Sequence, residues 1–202
     1  MELRDKNGLT EKEFLAAYDP GCFPRPSVTA DNLIFAEDKG QFRLLMIKRG
    51  GHPCLGMWAL PGGFANPDES VDEAAARELQ EETGITGLHL EQLRFVSTPG
   101  RDPRTWTMTC AYISVVKLSE VKVEAADDAD DAAWFGVSLE NGRLKLLSKK
   151  AELTAEVEIS EDTSWAGKTE KVRVKSSDGI AFDHSEIIAY GILKLREKGF
   201  SI

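Results

Sequence analysis

The stretch Gly63–Ile85 constrains this chain more than any other: Gly63-Phe-Ala-Asn-Pro-Asp-Glu69-Ser-Val-Asp-Glu-Ala-Ala-Ala-Arg77-Glu78-Leu79-Gln80-Glu81-Glu82-Thr83-Gly84-Ile85. Ser70 and Glu73 have the spacing of a capping box, so a helix is expected to start near Ser70, after a turn at Pro67 and Asp68. Ala74, Ala75 and Ala76 favour helix and are small enough for close packing, and Gly84 suits a left-handed helix end. On this helix Glu78 is a neighbour of Glu81 and Glu82, three and four residues on, while Leu79 points elsewhere, towards a sheet. Arg77 lies four residues before Glu81, and Glu69, just ahead of the helix, is also within its reach. Carboxylates gathered this way repel one another unless positive charge sits between them, and oxygen ligands select hard cations. The plain alternative is a solvated acidic helix face.

The same residues fill every fixed position of the Nudix box: Gly63, then Glu69, then Arg77-Glu78-Leu79-Gln80-Glu81-Glu82-Thr83-Gly84-Ile85. The chain therefore resembles the Nudix hydrolases, and the full motif outweighs the solvated-face reading. The resemblance implies an α/β fold, the Nudix α/β/α sandwich with a mixed sheet. It implies Glu78, Glu81 and Glu82 as catalytic, metal-holding carboxylates, supported by Arg77 and Glu69. The backbone carbonyl just before the box glycine can be a metal ligand in this family, which maps onto Gly62. Magnesium is the implied cofactor, with manganese as the other hard cation.

Across its 202 residues the chain is 42% hydrophobic and 29% charged, as expected for one globular domain spanning 1–202. A formal net charge of −9 argues against non-specific nucleic-acid binding and against a polybasic membrane contact. It does not oppose a phosphorylated substrate, because bound metal inverts the local sign. Met1–Lys12 is highly charged, without a secretory signature, and no apolar run is long enough to span a membrane. Cys22, Cys54 and Cys110 lack paired-ligand spacing and read as reduced thiols of a cytoplasmic protein.

Along the chain, Leu9–Tyr18 reads as a short helix with Thr10 as N-cap, inside an N-terminal extension over 1–20. Val28–Ala36, Phe42–Lys48, Leu88–Thr98, Trp106–Leu118 and a short strand from Ala132 are strand-like, with Gly50–Gly63 and Val121–Asp131 as loops. Trp58–Gly63 resembles the strand that leads into the box. A last helix is expected around Ser185–Lys198. Before it, residues 139–178 read as an insertion: Ala151–Ile159 and Lys168–Lys175 alternate like a β-hairpin around a turn near Asp162–Gly167. Trp165 at its tip is read as a packing residue in preference to a stacking one.

Two further segments narrow the substrate. Pro99-Gly100-Arg101-Asp102-Pro103-Arg104 could aim arginine forks at phosphate, or could use an Arg–Asp bridge to brace a loop. Ala181-Phe182-Asp183-His184-Ser185-Glu186 opens the last helix; His184 is either a substrate contact or a structural anchor, with Asp183 or Ser185 as N-cap. Both segments resemble bacterial ADP-ribose pyrophosphatases and the Nudix-related regulators of NAD metabolism. That resemblance implies Arg101, Arg104 and His184 as substrate-binding residues and a nucleoside diphosphate derivative as substrate, ADP-ribose foremost. NADH, dinucleoside polyphosphates and nucleoside triphosphates are the alternatives, as is a non-catalytic ADP-ribose-binding regulator. The regulators carry a DNA-binding domain after the corresponding helix, whereas this chain closes at Ile202, so no nucleic-acid partner is expected. A homodimer is the family-level expectation. Glu186 and the run Asp127–Asp131 are the remaining candidates for a general base.

Overall fold

The structure, a computed structural model, describes residues 2–121, 132–165 and 167–202. It opens with helix α1 (Glu11–Ala17), where Thr10 and Glu13 form the expected reciprocal cap. The strands β1 (Ser27–Asp38) and β2 (Gln41–Lys48) pair antiparallel across the turn at Lys39-Gly40. Two short strands follow, β3 (Trp58–Ala59) on β2 and β4 (Gly62–Phe64) on β1. Helix α2 (Val71–Thr83) carries the acidic motif. Then come β5 (Glu91–Val96), β6 (Thr107–Lys117), β7 (Ala132–Glu140), β8 (Arg143–Leu147), β9 (Glu152–Ser164), β10 (Gly167–Asp178) and helix α3 (His184–Glu197).

These strands form one mixed sheet in the order β10-β9-β8-β7-β2-β1-β6-β5. The β1–β6 pair is parallel, from Ser27 opposite Thr107 to Glu37 opposite Lys117. Strand β1 runs through the middle and is buried on both faces, so its residues alternate between two cores. Leu33 and Phe35 join Ile187, Ile188 and Ile192 of α3 on one face. Ile34 joins Leu79 and Ile85, and Ala30 joins Ala74 and Ala75, on the α2 face. The result is the expected α/β/α sandwich. A buried polar tie fixes α2 to the sheet: Asn32 Nδ2 donates to the Ala75 carbonyl at 2.9 Å. Among the described residues, no helix is long and apolar enough to cross a membrane.

The segment expected as an inserted hairpin continues the main sheet. The missing piece is β8, which follows the Asn141-Gly142 turn and buries Leu144 and Leu146 against the α3-side core. Strand β9 pairs with β8 only from Glu152 to Glu156, so the rest of β9 has β10 alone as partner. This leaves Trp165 at the tip of a two-stranded arm, 99% exposed among the described residues. The loop expected over Val121–Asp131 lies, apart from Val121, outside the described residues.

Helix α2 is capped as its sequence demands. The Glu73 N–H donates to Ser70 Oγ at 3.2 Å, the Ser70 N–H donates to Glu73 Oε2 at 2.7 Å, and Gly84 closes the helix at φ 72°. Losing a serine N-cap costs about 1 kcal/mol. Ser70→Ala is therefore expected to lower the unfolding free energy by that amount, read as a lower urea midpoint at an unchanged denaturant slope in equilibrium unfolding.

Candidate active site

Arg77 organises the acidic motif. Its Nε donates to Glu69 Oε2 at 3.0 Å and Nη2 donates to Glu69 Oε1 at 2.7 Å. Nη1 donates to Glu78 Oε1 at 2.7 Å and to Glu81 Oε2 at 2.9 Å. Nη2 also reaches the Phe64 carbonyl at 2.9 Å, which ties α2 to β4. The two pairings foreseen from spacing, with Glu69 and Glu81, are both present. Arg77 holds the Glu69 carboxyl down at about 2, with the Asn66 N–H adding to the effect.

Glu82 has a different environment. Its Oε2 accepts the Gly62 N–H at 2.8 Å on the inner side of the helix. Burial, the largest influence, pushes its carboxyl up to about 8; the Gly62 N–H pulls it down, and the charges of Glu78 and Asp31 push it further up. Of the two glycines ahead of the helix, Gly62 is required by space and Gly63 leaves room for the Glu78 carboxylate. A Cβ on Gly62 would lie 2.1 Å from the Ala30 carbonyl oxygen, and one on Gly63 would lie 2.5 Å from the Glu78 carboxylate. Glu78 and Glu82 are thus pressed against the Gly62–Gly63 backbone, which is the setting a hard cation favours: anionic and carbonyl oxygens, with one carboxylate short of positive charge. The donor chemistry fits a hard divalent cation such as magnesium or manganese, which Glu78, Glu81, Glu82 and the Gly62 carbonyl would hold. In the present arrangement Arg77 occupies Glu78 and Glu81, and among the described residues no three His, Cys, Asp or Glu side chains converge on one point.

Beside this motif lies a cleft of about 120 Å³, lined by Asp31, Arg49, Gly62, Gly63, Arg104 and His184 among others. The arginine loop reaches it, but both arginines are committed to carboxylates. Arg101 is buried and makes a two-pronged contact with Asp183, through Nε at 2.9 Å and Nη2 at 2.8 Å. Arg104 grips Asp102, with its shortest bond from Nη2 to Oδ2 at 2.7 Å. It also lies 4.9 Å from the Phe64 ring centre and 5.8 Å from that of Phe182. The bracing role foreseen as the alternative is therefore filled by both, and Arg104, more exposed, presents a stacked guanidinium to the cleft.

At the mouth of α3, Asp183 occupies the N-cap position without making a side-chain cap, because its carboxylate is spent on Arg101. His184 is buried and accepts the Leu60 N–H at Nδ1, at 2.9 Å. That fixes the neutral tautomer with its proton on Nε2. His184 is thus the anchor of α3 to the segment before β4, and at the same time it lines the cleft. Phe182, two residues earlier, adopts φ 52°. A non-glycine residue there costs about 1–3 kcal/mol and persists only where its surroundings over-determine it. They do so here through Ala181 N–H to the Trp58 carbonyl at 2.8 Å, the Arg101–Asp183 pair and the His184 anchor.

Two cleft residues were not anticipated. Arg49 donates from Nε to the Pro53 carbonyl at 2.8 Å and lies 4.9 Å over the Phe182 ring. Asp31 faces the cleft from the middle of β1; an acidic residue inside the apolar run Val28–Ala36 was the signal that could have found it. Glu186 is half-buried on α3, its carboxyl raised by burial and by Asp183, and is not among the cleft-lining residues; Asp127–Asp131 lie outside the described residues.

The NUDIX domain model matches residues 25–157. The chain belongs to the Nudix family. An ADPR responsive transcriptional repressor NtrR from Acinetobacter baylyi is 36% identical over 148 residues, covering 72% of this chain and 57% of that protein. An ADP-ribose pyrophosphatase from Methanocaldococcus jannaschii is 39% identical over 113 residues, covering 56% of this chain and 63% of that protein. The chain thus spans less than two thirds of either relative's length. Among solved structures, a MutT/nudix family protein from Enterococcus faecalis superimposes with TM-score 0.75 at 33% identity, covering 94% of this chain and 70% of that one.

Burial holds the His184 imidazole below its ordinary value, against the opposing charges of Asp31 and Asp183. The folded residue stays neutral where an unfolded histidine takes up a proton, near pH 6.5. The stability this confers is present above that pH and lost as pH falls through it. His184→Gln retains an acceptor for the Leu60 N–H but cannot be protonated. Wild type is expected to lose more stability than the variant between about pH 7 and about pH 5, measured by urea unfolding at both.

Proposed function

We propose that this Nudix protein is a metal-dependent pyrophosphohydrolase whose substrate is a nucleoside diphosphate derivative, ADP-ribose foremost, cleaved to AMP and ribose 5-phosphate. The observation that carries the reading is the set Glu78, Glu81 and Glu82 on one helix, the first two held by Arg77 and the third by the Gly62 N–H, beside an arginine-rimmed cleft. When bound there, a divalent cation supplies positive charge to a diphosphate and acidifies a coordinated water. The chain's own residues do the remaining work. Arg77 keeps Glu78 and Glu81 on one side of the helix. Gly62 and Gly63 let a diphosphate approach without a side chain in the way. Arg104 offers a charge-assisted donor at the cleft edge. Attack by water on phosphorus breaks one bridging P–O bond, and the leaving phosphate carries away the charge.

ADP-ribose is favoured over other diphosphates because both relatives, one an ADP-ribose pyrophosphatase and one an ADPR responsive repressor, are described by that compound. The repressor relative supports a second reading, in which the cleft binds ADP-ribose and signals without cleaving it. The acidic motif favours the enzyme, since binding alone does not call for three clustered carboxylates. A cytoplasmic location completes the proposal, supported by three free cysteines; a homodimer is the family-level expectation alone.

Glu82→Gln is expected to fold normally and to lose nearly all turnover in magnesium; wild-type rate in that variant would refute the metal assignment. Product analysis with purified protein over ADP-ribose, NADH, diadenosine polyphosphates and nucleoside triphosphates tests the substrate. AMP and ribose 5-phosphate from ADP-ribose, at far the highest kcat/KM, is the expected result. Tight ADP-ribose binding without turnover of any compound would favour the regulator.

A further inference from the structure

Asp31 and His184 face each other across the cleft with their polar atoms incompletely used. Asp31 is 6% exposed and His184 4%. Since Nδ1 of His184 accepts from Leu60, its Nε2 carries the proton, and Nε2 stands 3.7 Å from Asp31 Oδ1. That is too long for a hydrogen bond. The other Asp31 oxygen meets only Arg101 Nη2, at 3.5 Å, while the shorter bonds of Arg101 go to Asp183. Among the described residues, then, a buried carboxylate has one marginal partner and a buried imidazole N–H has none within bonding distance. Both groups open onto the cleft, where a small polar group can complete them. The gap presents one acceptor and one donor at its two sides. A group that donates to Oδ1 and accepts from Nε2–H satisfies both, and a hydroxyl is such a group. An anion would meet the Asp31 charge, and an ammonium would meet the Nε2 proton.

We propose that Asp31 and His184 together bind a ribose hydroxyl of the substrate, making Asp31 a specificity-determining residue of this cleft. The inference rests on the reading of the site as one for an ADP-ribose-like compound. The position fits, because Asp31 is paired in the sheet with Gly62, beside the acidic motif, and both residues line the same cleft.

The test uses the full chain in magnesium with ADP-ribose and a set of its analogues, each lacking one ribose hydroxyl. In wild type one analogue is expected to lose roughly tenfold or more in kcat/KM, since a site built to bond a hydroxyl rejects the compound without it. In Asp31→Ala the gap between ADP-ribose and that analogue is expected to close, through loss on ADP-ribose alone. A gap that persists in Asp31→Ala, an equal loss on every compound, or a wild type that treats all analogues alike would overturn the proposal; the last would mean that only water bridges the pair. If Asp31→Ala melts before assay, Asp31→Leu carries the test: it keeps the side-chain shape without an acceptor, so a narrowed gap supports and an unchanged gap overturns. Calorimetric titration of the same compounds reads the gap in Kd. A chain that binds ADP-ribose without cleaving it therefore loses the enzymatic reading while still testing the pair, and a chain that neither binds nor cleaves it loses both.

Discussion

One guanidinium sets the geometry on which this site depends. Glu69, Glu78 and Glu81 would drive each other apart in its absence, and Arg77 meets all three while also gripping the Phe64 carbonyl. The planar fork of arginine suits this use, because its donors leave in fixed directions and no proton is lost at any ordinary pH. A lysine would supply the charge without the directions. Through the same side chain the loop before α2, the helix and strand β4 become one body. Close packing finishes the arrangement: only glycine fits at position 62, where a Cβ would strike the Ala30 carbonyl oxygen, and at position 63 the Glu78 carboxylate lies against the backbone.

The cleft beside that body is built from parts far apart in the chain. Strand β1 contributes to both sides, with Asn32 holding α2 and Asp31 turned towards α3. The start of α3 is fastened by two long-range contacts, Arg101 to Asp183 and Leu60 to His184. Between them they hold Phe182 in a backbone conformation it would not choose alone. Strain at such a point is affordable because the contacts that impose it also close the wall of the cleft.

What could be read in advance follows from the range of each interaction. The caps of α2 and its acidic face were legible because every partner lies within a few residues. The pairing of Arg77 with Glu69 and Glu81 was legible for the same reason. The roles of Arg101 and His184 were not, because their partners Asp183 and Leu60 are brought close only by the fold. Spacing left bracing and substrate contact both open, and the fold supplies the bracing partners. Strand β8 escaped notice although Asn141-Gly142 and the alternating Leu144 and Leu146 mark it; its few residues alternate with lysine and arginine and look like loop until β7 and β9 flank them. Asp31 gives little signal in the sequence, as one acid in an apolar strand, and only the sheet shows that it opens onto a cleft.

The two outermost strands share a trait with a consequence for how the molecule behaves in a crowded solution. Strands β5 and β10 end the sheet, and each carries an irregularity in its ladder, between Gln92 and Arg94 and between Val174 and Ser176. Exposed charged side chains accompany both, such as Glu91 on β5 and Lys168, Glu170 and Lys171 on β10. A kinked, charged border is a poor template for another strand. A ten-stranded sheet with open ends would otherwise invite its neighbours to extend it, and these borders discourage such edge-to-edge growth into aggregates.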